Sequence, residues 1–203
     1  AIIVEQLSAK VLVEGPNFFF GKNRSGDIDL LKQLCRSAHV TLRVVEPLKT
    51  NGEVVSSSRL RQLIQTGEVG AARKMLTQPY RIRGTVSPGA RRGATIGFPT
   101  ANITALTTLC PAPGVYAGRA FLDQGRWDTA IHIGPNPTFN ENELKVECHL
   151  LGFSDSLYGK PLEVEFLERL RDVCVFASVS QLQDQLARDV EQTKHVCARA
   201  TAP

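Results

Sequence analysis

Residues 80–86 read Tyr-Arg-Ile-Arg-Gly-Thr-Val, and at this stretch the pattern of the chain changes. It is the first of a series of short strand-like segments: 80–86, then 115–122 (VYAGRAFL), 127–133, 145–151 and 162–167. Gly- and Pro-containing turns separate them, and several alternate, as where Leu162, Val164 and Phe166 face away from Glu163 and Glu165. Closely spaced strands without intervening helices predict a small antiparallel barrel. The chain then ends in one helix. Ser180 with Gln183 three residues on has the form of a capping box, and Val179, Leu182, Leu186 and Val190 make an apolar stripe expected to be a packing face.

Upstream of Gln78-Pro79, taken as the boundary between segments, strand and helix alternate instead. Residues 10–14 form a strand ending at Gly15-Pro16, and 27–38 a helix beginning at Gly26-Asp27. Residues 40–45 (VTLRVV) form a second strand, and 56–65 and 69–76 two further helices. This is the order of a parallel α/β unit. Two strands are few for such a sheet, so the segment is expected to be cut at its N-terminus.

Composition narrows the function classes. The 203 residues suffice for one generous or two small domains, and 42% hydrophobic with 22% charged residues is ordinary globular usage. No apolar run approaches the roughly 20 residues of a membrane span, and Glu5 and Lys10 interrupt residues 1–13 as a signal peptide would not be. The five scattered cysteines form no C-x-x-C pair and no zinc spacing, which suits a reduced, cytoplasmic chain. A net charge of +4 fits a protein handling phosphorylated anions. Aromatics total 6% and no basic stripe runs along the strands, which argues against a nucleic-acid barrel.

The chemistry concentrates in residues 91–102, RRGATIGFPTAN. Gly93 and Gly97 let backbone amides approach a ligand closely beside the basic pair Arg91-Arg92, as in a phosphate cradle or an ordinary flexible loop. If Pro99-Thr100-Ala101-Asn102 is extended, Thr100 and Asn102 share a face. A hydroxyl and an amide oxygen together are hard ligands suited to Mg²⁺, or two polar residues finishing a turn. In 146–150 (VECHL), Glu147 and His149 share one face and Cys148 the other. A carboxylate facing a barrel interior needs a partner or a task, and phosphoryl transfer to an alcohol needs such a proton acceptor; a surface Glu beside a surface His is the plainer reading.

These stretches carry a resemblance. GFPTAN at 97–102, P-x-x-GVYAG at 111–118, IGPNPTF at 133–139, VECHLLGF at 146–153 and LYGKPLEVEFLERLRD at 157–172 follow one another as in riboflavin kinases. In particular they resemble the C-terminal module of the bacterial bifunctional riboflavin kinase/FMN adenylyltransferases. The resemblance implies a riboflavin kinase domain over residues 79–197: a six-stranded antiparallel Greek-key barrel with a C-terminal helix, transferring the ATP γ-phosphate to riboflavin to give FMN. It assigns Glu147 as base, Thr100 and Asn102 to Mg²⁺, and Arg92, Gly93, Gly97, Phe98 and Pro99 to the ATP phosphates. Tyr158, Gly159 and Arg171 would close over the flavin.

Residues 1–78 resemble the second half of the Rossmann-like FMN adenylyltransferase domain, carried by 13–27 (VEGPNFFFGKNRSGD) and 55–61 (VSSSRLR). There Ser57, Ser58 and Arg59, at a positive helix end, would meet ATP phosphates. That family's signature G-x-F-D-G-x-H-x-G-H does not surround His39, His132, His149 or His195, and Asn17 replaces a usual aspartate, so these residues are not expected to make FAD. Relatives usually read Asn-Ile-Gly where this chain has His132-Ile133-Gly134. Gly152 and Ser156 replace usual acids, and Val173 and Val175 usual polar residues. A non-catalytic flavin- or nucleotide-binding relative is the alternative reading.

Overall fold

The computed structural model describes residues 2–89, 91–136 and 141–201. Residues 137–139 of the IGPNPTF stretch lie outside them. The chain divides into two compact units, residues 1–55 and 56–203.

The first unit is built on strand β1 (Val11–Glu14), helix α1 (Ile28–Ser37) and strand β2 (Thr41–Val44), the two strands paired in parallel from Val11↔Thr41 to Glu14↔Val44. A two-residue hairpin, β3 (Lys49–Thr50) with β4 (Glu53–Val54), follows. Asp27 caps α1: its Oδ1 accepts from the Asp29 and Leu30 amides at 3.1 and 2.9 Å, satisfying donors the first turn leaves free. One face of α1 buries Leu31 and Cys35 against Val40, with Leu12, Phe18 and Leu42 packed around them. This is the expected strand–helix–strand order.

In the second unit, helices α2 (Ser57–Gln65) and α3 (Val69–Met75) precede a closed barrel. Its strands are β5 (Tyr80–Ser87), β6 (Ala101–Thr104), β7 (Gly114–Leu122), β8 (Gly125–Asn136), β9 (Glu141–Leu150) and β10 (Pro161–Arg171), in spatial order β10-β5-β6-β9-β8-β7. All pairings are antiparallel, and β7–β8–β9 with β6 beside β9 is a Greek key. A single-turn helix, α4 (Arg92–Thr95), lies between β5 and β6, and α5 (Val179–Thr201) ends the unit. Strand β6 is the one the hydrophobic pattern does not announce: four residues, with only Ile103 buried.

Alternation sorts the side chains. Ile82, Ile103, Tyr116, Ile131, Ile133, Cys148, Leu162 and Phe166 fill the core, together with Leu63, Ile64, Val69 and Ala72 from α2 and α3. These two helices therefore fold with the barrel, although their strand–helix grammar continues that of the first segment. Burial within the barrel pushes the Cys148 thiol far above its ordinary range, with the Glu147 charge adding to the effect. Strand β7 is buried on both faces from Gly114 to Ala120 because α5 covers its outer side, where Ala117, Leu167, Val196 and Cys197 form a second cluster. Cys197 Sγ donates to the Gly118 carbonyl at 3.2 Å, and burial, then the charge of Asp128, pushes that thiol up to about 12.

Two expectations for α5 are corrected. Its cap is Ser178 with Gln181, not Ser180 with Gln183: the Gln181 amide donates to Ser178 Oγ and the Ala177 amide to Gln181 Oε1, both at 3.2 Å. Gln183 instead donates its Nε2 to the Ile96 carbonyl at 3.2 Å. The face that seats the helix is Asp189, Thr193, Val196 and Cys197, all buried, whereas Leu182, Leu186 and Val190 line an open cavity and Val179 is 47% exposed.

Candidate active site

Each antiparallel pairing places register partners on the same face, with Cβ atoms about 4.5–5.5 Å apart. One such row crosses the whole barrel: Arg171 (β10), Val115 (β7), His132 (β8), Glu147 (β9), Asn102 (β6) and Ser87 (β5). Because Ile131, Ile133, Val146 and Cys148 point inward, this row lies on the outer face. Of the two placements the strand pattern left open, Glu147 takes the outer one, on the face it shares with His149. It sits in a cavity over the outer wall, with its side chain 20% exposed. Thr100, Asn102, His132 and His149 line the same cavity, with Arg91, Arg92, Gly93 and Phe98 from the loop and Leu182, Leu186 and Val190 from α5. The lining thus combines charged and polar groups with apolar side chains.

The loop is held by two devices. Phe98 N donates to Gly93 O at 2.8 Å, folding 93–98 back on itself, and Gly97 takes a φ of 91°, open to glycine without strain. His149 Nδ1 lies 2.7 Å from the Pro99 carbonyl, and its ring meets Phe98 edge-on at 5.7 Å between centroids. With a carbonyl as partner, Nδ1 must carry the proton. His149 thus ties the loop to the strand that bears Glu147, a role the sequence reading did not give it although the period of two had placed both on one face.

Arg171 reaches the cavity with its donors already engaged. Nε and Nη2 meet the Asp189 carboxylate of α5 at 3.0 and 2.7 Å, and Nη1 meets the Asp172 carbonyl and Cys174 Sγ at 3.0 and 3.4 Å. Burial alone would depress the Arg171 pKa; hydrogen bonding to Asp189 and its charge outweigh that and raise it. Tyr158 and Gly159 connect to the site through neighbours: the Arg91 guanidinium lies 5.4 Å over the Tyr158 ring, and Gly159 N donates to Val86 O at 2.9 Å. At α2 the cap is Ser56, whose Oγ accepts from Arg59 N at 3.2 Å, so Ser57 and Ser58 occupy the first turn. Arg59 Nη1 donates to Gln62 at 3.1 Å.

The riboflavin kinase family model matches residues 76–197, which span the barrel, this cavity and most of α5. The chain belongs to that family. A second family model, FAD synthetase, matches residues 1–59. Curated relatives include the bifunctional riboflavin kinase/FMN adenylyltransferases of Haemophilus influenzae, 33% identical over 95% of this chain and 63% of that protein, and of Bacillus subtilis, 33% over 92% and 60%. A crystal structure described as a macrolide-efflux protein from Streptococcus pneumoniae is 34% identical, with a TM-score of 0.83 over 94% of this chain and 62% of that one. The chain thus spans 60–63% of the length of these two relatives. Among the described residues no His/Cys/Asp/Glu cluster could by itself hold a metal, and no helix is long and apolar enough to cross a membrane.

Proposed function

We propose that this chain phosphorylates riboflavin, moving the ATP γ-phosphoryl group onto the 5′-hydroxyl. The observation that carries the reading is the outer row itself: a carboxylate flanked in register by Asn102, lining one cavity with Thr100, a glycine loop and apolar side chains. The apolar side chains of Phe98, Leu182, Leu186 and Val190 suit a flat ring system, which leaves the ribityl tail to extend toward Glu147. Glu147 accepts the 5′-hydroxyl proton as the new O–P bond forms, and the bond from the γ-phosphorus to the β–γ bridging oxygen breaks to release ADP. The amides around Gly93 and Gly97 and the side chain of Arg92 meet the phosphates.

The donors fit a hard cation. Thr100 and Asn102 offer hydroxyl and amide oxygens, and Gly89 leaves the Asn102 amide clear where any Cβ would collide with it. Mg²⁺ bound there with ATP would neutralise developing phosphate charge. Residues 79–197 are assigned to this kinase, and 1–78 to the second half of an FMN adenylyltransferase. FMN adenylyltransferase is the second activity in the names of the relatives. No histidine in these 203 residues stands in its signature, so FMN with MgATP is expected to yield no FAD.

The test is FMN formation from riboflavin and MgATP, followed by chromatography. Glu147→Gln is expected to cut kcat about 10²- to 10⁴-fold, the usual worth of a positioned base. Thr100→Val is expected to raise the Mg²⁺ concentration needed for half-maximal rate. Unchanged rates in both variants would refute the assignment.

A further inference from the structure

His132 stands opposite Glu147 in the β8–β9 register, on the side away from Asn102. Its Nδ1 lies 3.6 Å from Glu147 Oε2, too far for a hydrogen bond. That Nδ1 is nonetheless buried and has no hydrogen-bond partner. Buried ring nitrogens are normally satisfied, and one left unpartnered beside a carboxylate asks for an explanation. The ring shares its face with Val115, its buried register partner on β7, and its side chain is 21% exposed.

We infer that His132 is a positioning residue for phosphoryl transfer: its Nδ1–H donates to the Glu147 carboxylate when the acceptor alcohol is bound, holding one oxygen so that the other meets the hydroxyl proton. This rests on the reading of Glu147 as the base. The gap of 3.6 Å closes with a small torsional change of the glutamate, and catalytic hydrogen bonds commonly tighten only in the substrate complex. A carboxylate held by one oxygen loses the rotational freedom that would otherwise be lost in reaching the transition state.

Three substitutions decide it. Asn carries an N–H on the atom bonded to Cγ, where His132 carries Nδ1; Gln carries it one atom farther out; Leu carries none. His132→Leu and His132→Gln are expected to lower kcat about 10- to 100-fold, as a misaligned group does, with little change in KM for riboflavin or ATP. His132→Asn is expected to recover most of the parent's kcat. A merely structural histidine would affect KM and thermal unfolding and would not separate Asn from Gln. Parent-like kcat in His132→Leu, or equal rates in the Asn and Gln variants, would overturn the inference. If His132→Leu fails to fold, the Asn/Gln pair alone decides. Glu147→Gln run alongside separates the two claims: if it keeps full activity, the base assignment itself falls, and if it alone is impaired, only the role of His132 falls.

Discussion

At Gly93 the chain comes so close to itself that a Cβ would collide with the Phe98 carbonyl oxygen, backbone against backbone. At Gly97 a Cβ would meet nothing within 4 Å, and the constraint is instead the positive φ of 91°. The sequence shows two glycines four apart and cannot tell these cases from each other, because contact with a carbonyl five residues on depends on the fold. Gly93→Ala must push the loop outward, and it is expected to lower kcat/KM for ATP about 10- to 100-fold, in line with the cost of an ångström-scale misplacement. Riboflavin affinity, read by flavin fluorescence, is expected to stay near that of the parent. A loss of flavin affinity as large as the loss for ATP would mean that the loop does not serve the phosphates. His149 was likewise half legible. The strand period put it beside Glu147, but its bond to Pro99 joins residues 50 apart.

Helix α5 brings Leu182, Leu186 and Val190 to the cavity and is anchored by a buried ion pair. Asp189 is 2% exposed at its side chain, and Arg171 20%. Gln185 adds a third donor, its Nε2 meeting Asp189 Oδ1 at 2.8 Å. Removing one partner of such a pair leaves the other charge stranded, a loss of about 3–5 kcal/mol. Asp189→Ala is therefore expected to lower unfolding stability by about 3 kcal/mol in urea and to weaken flavin binding. An unchanged denaturation midpoint would remove the pair from the account. This anchor was hidden from the hydrophobic pattern because the seated face of α5 carries Asp189 and Thr193, both buried polar residues. The visible stripe, Leu182, Leu186 and Val190, belongs to the cavity. The cap was misplaced by two residues for a related reason: in 178–183 (SVSQLQ) both serines have a Gln three positions later, and only the backbone shows which one is used.

Across the whole second unit, five of the six barrel strands announce themselves by apolar residues between Gly and Pro turns. Strand β6 does not, since four residues with one buried side chain carry too little pattern, yet without it β5 and β9 would have no common neighbour. Closure is what sets the outer row from Arg171 to Ser87 and puts Asn102 beside Glu147, 45 residues later in the chain. The residue types of the site could be read from the sequence, but the face they share and the cavity above it follow from register. The central claim is that this face carries the γ-phosphoryl group to an alcohol. It is tested most directly by giving the 203-residue chain riboflavin, Mg²⁺ and ATP labelled at the γ-phosphorus, and following the label. Label appearing in FMN in step with ADP is the expected result. Riboflavin bound but unlabelled, with ATP intact, would contradict the account.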